Sequence, residues 1–264
     1  MNSDDPRGWA PRLARVIRES SISIIDRIEI LEETPSTQDA AYELAAGTPG
    51  LMVLAVRQTA GRGRLGRSWQ QSGELGLAAT LVLDAAEYPP GQLSLAAGLA
   101  TARAVDLGSS LLAEFGLRWP NDVVEPLPRP GGGRKLAGIL VEVRSGLALV
   151  GVGVNVRQRE TDFPHELRHA AVSLHQLGSD TSRIEIAMRL VSQMHQVLKL
   201  PSGERNRAWA RRDVLVGSAQ TFRHDGQNFK GVVQSIDPAN EIVIRMESTD
   251  IVRLPAATTS LIHD

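Results

Sequence analysis

Hydrophobic and polar positions follow two kinds of pattern in the first 212 residues, and together they predict a mixed α/β domain. Short runs that are β-branched or continuously apolar predict strands, and longer alanine- and leucine-rich runs with helical spacing predict helices. The predicted strands are SISIIDRIEILEE, GLMVLAVRQT, ELGLAATLVL, GLRWPNDVV, KLAGILVEV and LALVGVGVNV. The predicted helices are STQDAAYELAA (capped by Ser36 or Thr37), GQLSLAAGLATARAVDLG (ended by Gly108), SRIEIAMRLVSQMHQVLKL and GERNRAWARRD.

The pattern changes after Arg212 to short alternating strands, with HDGQN and DPAN as turns. This spacing predicts a small β-barrel of about 50 residues. The polar, proline-containing start indicates a loose arm or a short helix, and the segment PLPRPGGG (126–133) indicates an exposed hairpin end. We therefore divide the chain into an N-terminal arm (1–24), a mixed α/β domain (25–212) and a C-terminal barrel (213–264).

Charge and composition exclude several classes of function but do not identify one. The formal net charge is -1, so no global field attracts nucleic acid or an anionic membrane. The chain has no cysteine, which excludes disulfides, thiolate metal sites and a cysteine nucleophile. Its start has no apolar run typical of a secretory signal, and its longest apolar stretches are too short to cross a bilayer. We expect a soluble cytoplasmic protein.

The segment GRGRLGRSW (61–69) is the most unusual local feature. Its three glycines predict a loop and allow backbone N–H groups to approach a ligand, while Arg62, Arg64 and Arg67 supply donors suited to carboxylates and phosphates. The spacing matches neither a P-loop nor a dinucleotide-binding turn. The residues alone allow an anion-binding loop, a solvated basic turn or, less readily in a chain that is not basic, a nucleic-acid contact.

Three further loci carry chemistry only in combination. Asn121 and Asp122 follow Trp119-Pro120, Lys135 opens an apolar strand, and Asn155 ends a glycine-spaced strand. Taken singly, they are typical of an ordinary turn, a solvated strand end and close backbone packing.

In their order along 36–155, the segments STQD, QTAGRGRLGRSW, RWPNDV, KLAGILVE and GVGVNV resemble the biotin–protein ligases, of the short monofunctional type without a DNA-binding domain. The resemblance implies an α+β fold: a mixed-sheet catalytic domain like that of class II aminoacyl-tRNA synthetases, followed by a small SH3-like barrel. It implies an ATP-dependent ligase that converts biotin to biotinyl-5'-AMP and then transfers biotin to a lysine of a biotin carboxyl carrier domain.

The resemblance also implies roles for individual residues. The catalytic residues are Arg62, Arg64, Lys135 and Asn121. The biotin-binding residues are Ser36, Thr37, Gln38, Gln58, Arg62, Gly63, Arg64, Lys135 and Gly138. The ATP-binding residues are Arg67, Trp69, Asn121 and Asn155, with Trp69 stacking on adenine.

Several of these implied roles leave alternatives open. Ser36 and Thr37 could serve only as a helix cap, and Trp69 could be a core residue. Glutamine at Gln38 replaces an asparagine common in the family. Mg²⁺ is expected to bridge phosphate oxygens, and Asp122 could assist a metal or hold Lys135. The strands KLAGILVE and GVGVNV are expected to wall the biotin site, with Gly138, Gly151 and Gly153 letting the backbone come close.

The implied reaction gives the arginine loop a purpose. Biotin's carboxylate must approach the α-phosphate of ATP, and two unit charges 4 Å apart repel by roughly 4 kcal/mol at an effective dielectric constant of ~20. Cations offset that repulsion. A glycine-hinged loop, mobile without ligand, could then close over the adenylate and exclude water. His165, His169 and His175 lack metal-ligand spacing and are expected at the surface.

The expected partner is the biotin carboxyl carrier domain of acyl-CoA or pyruvate carboxylases, and the expected state is a monomer or weak homodimer. Only about 25 residues precede the first strand, too few for a helix-turn-helix domain, so no DNA binding is expected. No membrane partner is expected either. The alternatives are a lipoyl or octanoyl ligase or transferase, a nucleic-acid-binding module, and a catalytically inactive relative.

Overall fold

The structure, a computed structural model, describes residues 5–70, 73–107, 114–126 and 131–262. The predicted helix end at Gly108 and half of the predicted connector, residues 127–130, lie outside these ranges. The described α-helices are α1 (Trp9–Glu19), α2 (Thr37–Ala45), α3 (Pro90–Asp106), α4 (Arg183–Lys199) and α5 (Ser202–Ala210). Of the two alternatives for the N-terminal segment, the structure has the short helix, anchored by the buried Trp9 and Leu13. None of the described helices is long and apolar enough to span a membrane.

The described residues up to Asn155 form nine strands. They are β1 (Arg27–Thr34), β2 (Leu51–Gln58), β3 (Gly61–Arg62), β4 (Ser68–Trp69), β5 (Gly76–Asp84), β6 (Gly116–Arg118), β7 (Asp122–Val124), β8 (Lys135–Arg144) and β9 (Leu147–Asn155). Seven form one sheet in the order β1-β2-β5-β9-β8-β7-β6. The β1–β2 pair is parallel and the other neighbours are antiparallel, so the predicted mixed sheet of an α+β fold is confirmed.

One predicted strand is divided in two. The segment GLRWPNDVV forms the hairpin of β6 and β7 rather than a single strand. The break falls at Trp119-Pro120, which are joined by a cis peptide bond. Proline has no backbone N–H to donate to a strand ladder, so the strand could not run through this position in the middle of a sheet.

The two faces of the large sheet are covered unequally. Helices α3 and α4 pack on one face, and α1 packs against α4. Only α2, among the described helices, contacts β2, β5 and β9 from the other side. Strand β9 shows the reason in its sequence, because Val150, Val152 and Val154 enter the main core while Gly151 and Gly153 point to the opposite face. Alternate residues of one strand thus build a core and leave an open surface.

The C-terminal region is all β, as predicted. Its antiparallel sheet has the order β13-β12-β11-β10-β14, formed by β10 (Ala219–His224), β11 (Gln227–Asp237), β12 (Glu241–Met246), β13 (Ile251–Pro255) and β14 (Ser260–Ile262). The predicted HDGQN and DPAN turns join β10 to β11 and β11 to β12. Phe222 of β10 lies edge-on to Trp119, with ring centroids 6.2 Å apart, so this sheet packs directly behind the β6–β7 turn.

Candidate active site

A cavity of about 250 Å³ lies on the sparsely covered face of the large sheet. It is lined by the start of α2, the arginine loop, the β6–β7 turn, strands β5, β8 and β9, the segment 163–171, and two residues of β14. Every residue predicted to touch a substrate lines it: Ser36, Thr37, Gln38, Gln58, Arg62, Gly63, Arg64, Arg67, Trp69, Asn121, Asp122, Lys135, Gly138 and Asn155. Residues far apart in sequence therefore meet at one place.

The glycines of the floor make room for side chains of the protein itself. A Cβ atom on Gly151 would lie 2.7 Å from Nε2 of Gln38, and one on Gly153 would lie 2.4 Å from Cε2 of Trp69. A Cβ on Gly138 would lie 3.0 Å from Nζ of Lys135. The sequence predicted that these glycines bring the backbone close to a substrate; in the structure, Gln38, Trp69 and Lys135 occupy that space.

Gln58 fixes the start of α2. Its Oε1 accepts hydrogen bonds from the backbone N–H of Thr37 (2.8 Å) and from the Thr37 hydroxyl (3.1 Å). Thr80 of β5 donates to the same hydroxyl at 2.9 Å. Ser36 is the N-cap residue, directly before α2, yet its side chain makes no capping hydrogen bond. The buried Ser36 hydroxyl is thus not used as a cap.

Gln38 is oriented by one half of its amide and leaves the other half unpaired. Its Nε2 donates to the carbonyl oxygens of Leu140 (2.8 Å) and Leu149 (3.4 Å). Its Oε1 is buried and has no partner among the described residues, although the side chain is only 4% exposed. An unpaired buried acceptor is costly, so a ligand N–H at this point would be favoured.

The predicted arginine loop is a narrow hairpin. Strands β3 and β4 pair, and the N–H of Gly63 donates to the carbonyl of Arg67 at 2.7 Å. The turn uses positive φ angles at Leu65 (54°) and Gly66 (75°). Arg67 is exposed at the end of this hairpin.

The two inner arginines of the loop reach different partners. Arg62 forms ion pairs with Asp39 of α2 and Glu142 of β8. Arg64 donates to the carbonyl oxygens of Ala256 and Ala257, between β13 and β14. Burial lowers the pKa of Arg64, although an arginine keeps its charge at neutral pH.

Lys135 belongs to an ion triad with Asp122 and Arg118, in which the arginine is buried and the lysine is 30% exposed. Its Nζ lies 2.6 Å from Oδ1 of Asp122, and Nη2 of Arg118 lies 3.1 Å from the other oxygen of that carboxylate. Burial alone would raise the pKa of Asp122, but the two cations more than offset it and hold that pKa below its ordinary value. Nζ of Lys135 also lies 5.5 Å from the centroid of the Trp69 ring. Of the two roles considered for Asp122, the structure has the contact with Lys135.

Both predicted asparagines are already engaged. Nδ2 of Asn121 donates to the carbonyl of Ile139 at 2.8 Å. Asn155 is 3% exposed; its Nδ2 donates to the carbonyl of Val172 (3.1 Å), and its Oδ1 accepts from Gln158 (3.3 Å). Nδ2 of Asn155 is therefore used within the protein, whereas Oδ1 keeps a second lone pair that could accept from a nucleotide. The three predicted surface histidines, His165, His169 and His175, are exposed as expected.

Comparison with known proteins identifies the family. Residues 30–158 match the model of the biotin/lipoate A/B protein ligase family. A biotin–[acetyl-CoA-carboxylase] ligase of Mycobacterium tuberculosis is 32% identical over 238 residues, covering 86% of each chain. The chain belongs to the biotin protein ligase family. It is an ATP-dependent ligase.

Two further proteins are similar to this ligase, one in structure and one in sequence. The structure of the Aquifex aeolicus biotin protein ligase in complex with biotin and ATP superimposes with a TM-score of 0.78 at 28% identity, covering 91% of this chain and 100% of that one. The bifunctional ligase/repressor BirA of Bacillus subtilis is 34% identical over 154 residues, which span 55% of this chain and 45% of BirA.

Sequence reasoning missed several residues that line the cavity of this ligase. They are Arg118, Phe163, Leu167, Ala170, Ala171, Ser260 and Leu261, among others. An arginine within the buried strand β6 is a signal that could have been used, since a buried arginine needs a partner. The segment 163–171 has no motif that marks it as part of a site. It reaches the cavity only because the fold places it beside β8, where Ala171 forms a bridge with Lys135.

Proposed function

We propose that this ligase joins biotin to ATP, forming biotinyl-5'-AMP and pyrophosphate, and then transfers biotin to a lysine of a biotin carboxyl carrier domain of an acyl-CoA carboxylase. The names of its relatives support the substrates, since the M. tuberculosis protein is a biotin–[acetyl-CoA-carboxylase] ligase and the A. aeolicus enzyme is described with biotin and ATP. The observation that carries the proposal is the meeting of Arg62, Arg64 and Lys135 with buried amides and hydroxyls at one cavity.

In the first step, a biotin carboxylate oxygen attacks the α-phosphorus. The bond from that phosphorus to the oxygen bridging to the β-phosphate breaks, and pyrophosphate leaves. Arg62, Arg64 and Lys135 offset the repulsion between the two anions and the charge that develops on the α-phosphate. Because Asp122, itself held by Arg118, fixes Lys135, the ammonium group needs little reorganisation when that charge appears.

In the second step, the neutral amine of the carrier lysine attacks the acyl carbon of the mixed anhydride. An amide forms, AMP leaves through its phosphate oxygen, and the amine loses a proton. The described residues around the cavity need supply no nucleophile of their own. The arginine hairpin covers the intermediate and keeps water out until the carrier arrives.

For biotin, we propose that the ureido ring binds at the start of α2. The ring has two N–H donors and one carbonyl acceptor. The unpaired Oε1 of Gln38 can accept from an N–H, and the Ser36 hydroxyl, which makes no capping bond, can donate to the carbonyl. Thr37 and Gln58 complete this end, and Gly63 and Gly138 bound the acyl chain. The small apolar residues Ala78 and Ala79 line the cavity and leave space for the apolar ring.

For ATP, we propose that Trp69 stacks on the adenine, with Arg67, Asn121 and Asn155 around the nucleotide. Trp69 lies across Gly153 and beside Lys135, so a nucleotide stacked on Trp69 would lie near the lysine. Asn121, held by Ile139, orients the reacting groups.

Mg²⁺ is implied by the chemistry, but the described residues do not fit a cation cage. No group of three or more histidine, aspartate or glutamate side chains within the described ranges could hold a metal. Both carboxylate oxygens of Asp122 already face cations, Lys135 and Arg118. Any Mg²⁺ would therefore arrive on the phosphates of ATP.

We extend the family likeness to the finer architecture. In this proposal, residues 25–212 form a catalytic domain related to class II aminoacyl-tRNA synthetases, and residues 213–264 form an SH3-like barrel. The five-stranded antiparallel order of the C-terminal sheet supports the second assignment. A cytoplasmic location, a monomer or weak homodimer, and the absence of DNA and membrane partners stay predictions.

One experiment tests the reaction against its nearest alternative. Purified enzyme is given Mg-ATP with labelled biotin or with labelled lipoate, and pyrophosphate exchange is measured. We expect exchange with biotin and retention of labelled biotinyl-AMP, followed by label on a carrier domain when one is added. Exchange with lipoate alone would assign the enzyme to the lipoate branch, and exchange with neither would reject acyl activation.

A further inference from the structure

Four charged side chains at the rim of the cavity form a closed ring of alternating sign. They are Asp39 of α2, Arg62 of the hairpin, and Glu142 and Arg144 of β8. Arg62 pairs with both carboxylates. Arg144 pairs with the same two, through Nη1 to Asp39 (2.8 Å) and through Nη2 to Glu142. The four charges sum to zero.

Arg62 donates three hydrogen bonds to two carboxylates and has further N–H donors left. Its Nη1 donates to Oδ2 of Asp39 (2.5 Å), while its Nη2 donates to Oδ1 of Asp39 (3.0 Å) and to Oε2 of Glu142 (3.2 Å). This end-on fork is the strong geometry for an arginine and a carboxylate. A guanidinium has five N–H donors, so three are used within the described residues and two remain for a ligand.

The ring is anchored outside the cavity. Arg62 lines the cavity, whereas Asp39, Glu142 and Arg144 are absent from its lining in the part of the chain that the structure describes. Arg144 lies 5.7 Å from the centroid of the Tyr42 ring, and the Tyr42 hydroxyl is 3.0 Å from Oγ of Ser145. These contacts tie α2 to the β8–β9 turn. Whatever the three outer members do for a substrate, they do through Arg62.

We propose that Asp39, Glu142 and Arg144 are positioning residues that hold Arg62 at the cavity rim for the carboxylate of biotin. This inference rests on the proposed function. Asp39 and Glu142 fix the direction of the guanidinium, and Arg144 neutralises the two acids so that they do not repel the incoming anion. The hydrogen bond from Arg62 also holds the pKa of Asp39 below its ordinary value, so the grip persists throughout the neutral range.

Replacing Asp39 separates position from charge, because the two effects have opposite signs. Asp39→Asn removes a negative charge from the rim, so charge alone would tighten the binding of the biotin anion. Loss of the fork frees the Arg62 side chain, so positioning requires weaker binding. Arg144→Gln leaves two acids against one arginine, and weaker binding of the anion is expected again.

The experiment is titration calorimetry of each variant with biotin and with biotinol, in which a neutral CH₂OH replaces the carboxylate. Both ligands share the ureido ring, so damage to the neighbouring Gln38 site would affect both equally. The matched control is Arg57→Gln, which removes a positive charge from an exposed pair with Glu33 on the same domain. Asp39→Glu tests whether a longer carboxylate restores the grip.

We expect Asp39→Asn and Arg144→Gln each to bind biotin about three- to tenfold more weakly at low salt, a modest loss because these side chains are partly exposed. Biotinol affinity should stay within about twofold, and Asp39→Glu should recover part of the loss. Unchanged or tighter biotin binding by Asp39→Asn, or equal losses for biotinol, would overturn the inference. If the wild-type enzyme binds neither ligand, the proposed function itself fails.

Discussion

The cations around the cavity are held in two opposite ways. Lys135 lies in the sheet, and its partner Asp122 lies on the neighbouring strand β7, between the lysine and the buried Arg118. Arg62 and Arg64 lie on a hairpin, and their partners belong to α2, β8 and the C-terminal sheet. The lysine's position is thus set by the core, while the position of each arginine depends on how the hairpin sits. We call Lys135 with Asp122 and Arg118 the fixed corner of the cavity, and the hairpin with Arg62 and Arg64 the hairpin corner. The fixed corner supplies a charge whose position is set in advance, and the hairpin corner supplies charges that can be brought to a ligand.

The largest effect should follow from removing the fixed charge. Lys135→Ala should lower the rate of biotinyl-AMP formation by about 10²–10³-fold, because the α-phosphate loses its preorganised cation. Pyrophosphate exchange measures the rate, and urea unfolding measures stability in parallel. Arg67→Ala, at the exposed end of the hairpin, is the matched control and should cost much less. A similar loss in both variants would mean that the two corners do not differ.

Asp122 tests whether the fixed corner is held by its ion triad. Asp122→Asn should lower the free energy of unfolding at pH 7 by about 2–4 kcal/mol, since the buried Arg118 and the half-buried Lys135 lose their counter-charge. The folded pKa of Asp122 is lowered, so its stabilisation is complete above the unfolded pKa of about 3.9 and is lost as the pH falls through the folded value.

The measurement is urea unfolding of both proteins at several pH values. The gap between wild type and Asp122→Asn should stay constant from neutral pH down to about pH 5 and shrink below about pH 4. A gap that widens on acidification would contradict the assigned direction of the pKa shift.

The hairpin glycines should differ sharply from one another. A Cβ on Gly61 would lie 2.7 Å from the Trp69 carbonyl oxygen and 2.5 Å from Nε2 of Gln58, whereas a Cβ on Gly63 would lie 3.3 Å from the Arg67 carbonyl. Gly63 has an ordinary φ of -112°. Gly61→Ala should lower kcat/KM for biotin by about tenfold and Gly63→Ala by much less. Equal effects would show that the hairpin's close packing is not needed for assembly.

The smallest expected effect concerns Trp69, which touches both corners. Trp69→Ala should raise KM for ATP about three- to tenfold and KM for biotin less, as expected for the loss of one stacking contact. Steady-state kinetics with each substrate varied in turn would measure the split. A larger rise for biotin would move this ring from the nucleotide to the biotin end.

The sequence predicted the elements well where one pattern dominated, and it predicted the site through its loops. Strand β9 alternates valine and glycine, and that alternation can be read directly from the order of its residues. The ring of Asp39, Arg62, Glu142 and Arg144 was not predictable. Which of these charges meet depends on how α2 and the hairpin pack beside β8, and the sequence pattern does not reveal that packing. Gly151 and Gly153 were predicted to admit a substrate, but the sequence does not reveal that Gln38 and Trp69 reach that space first.

In strand β9, alternate residues build the hydrophobic core on one face of the sheet and the floor of the cavity on the other. Inserting or deleting a single residue inside β9, before Val150, would turn the following valines toward the cavity and the glycines toward the hydrophobic core. Core packing and ligand binding would fail together, because the same slip that empties the core plugs the binding chamber. Length variation in this enzyme should therefore be found in its surface turns, while the short stretch from Val150 to Val154 tolerates exchange of side chains better than any change in their number.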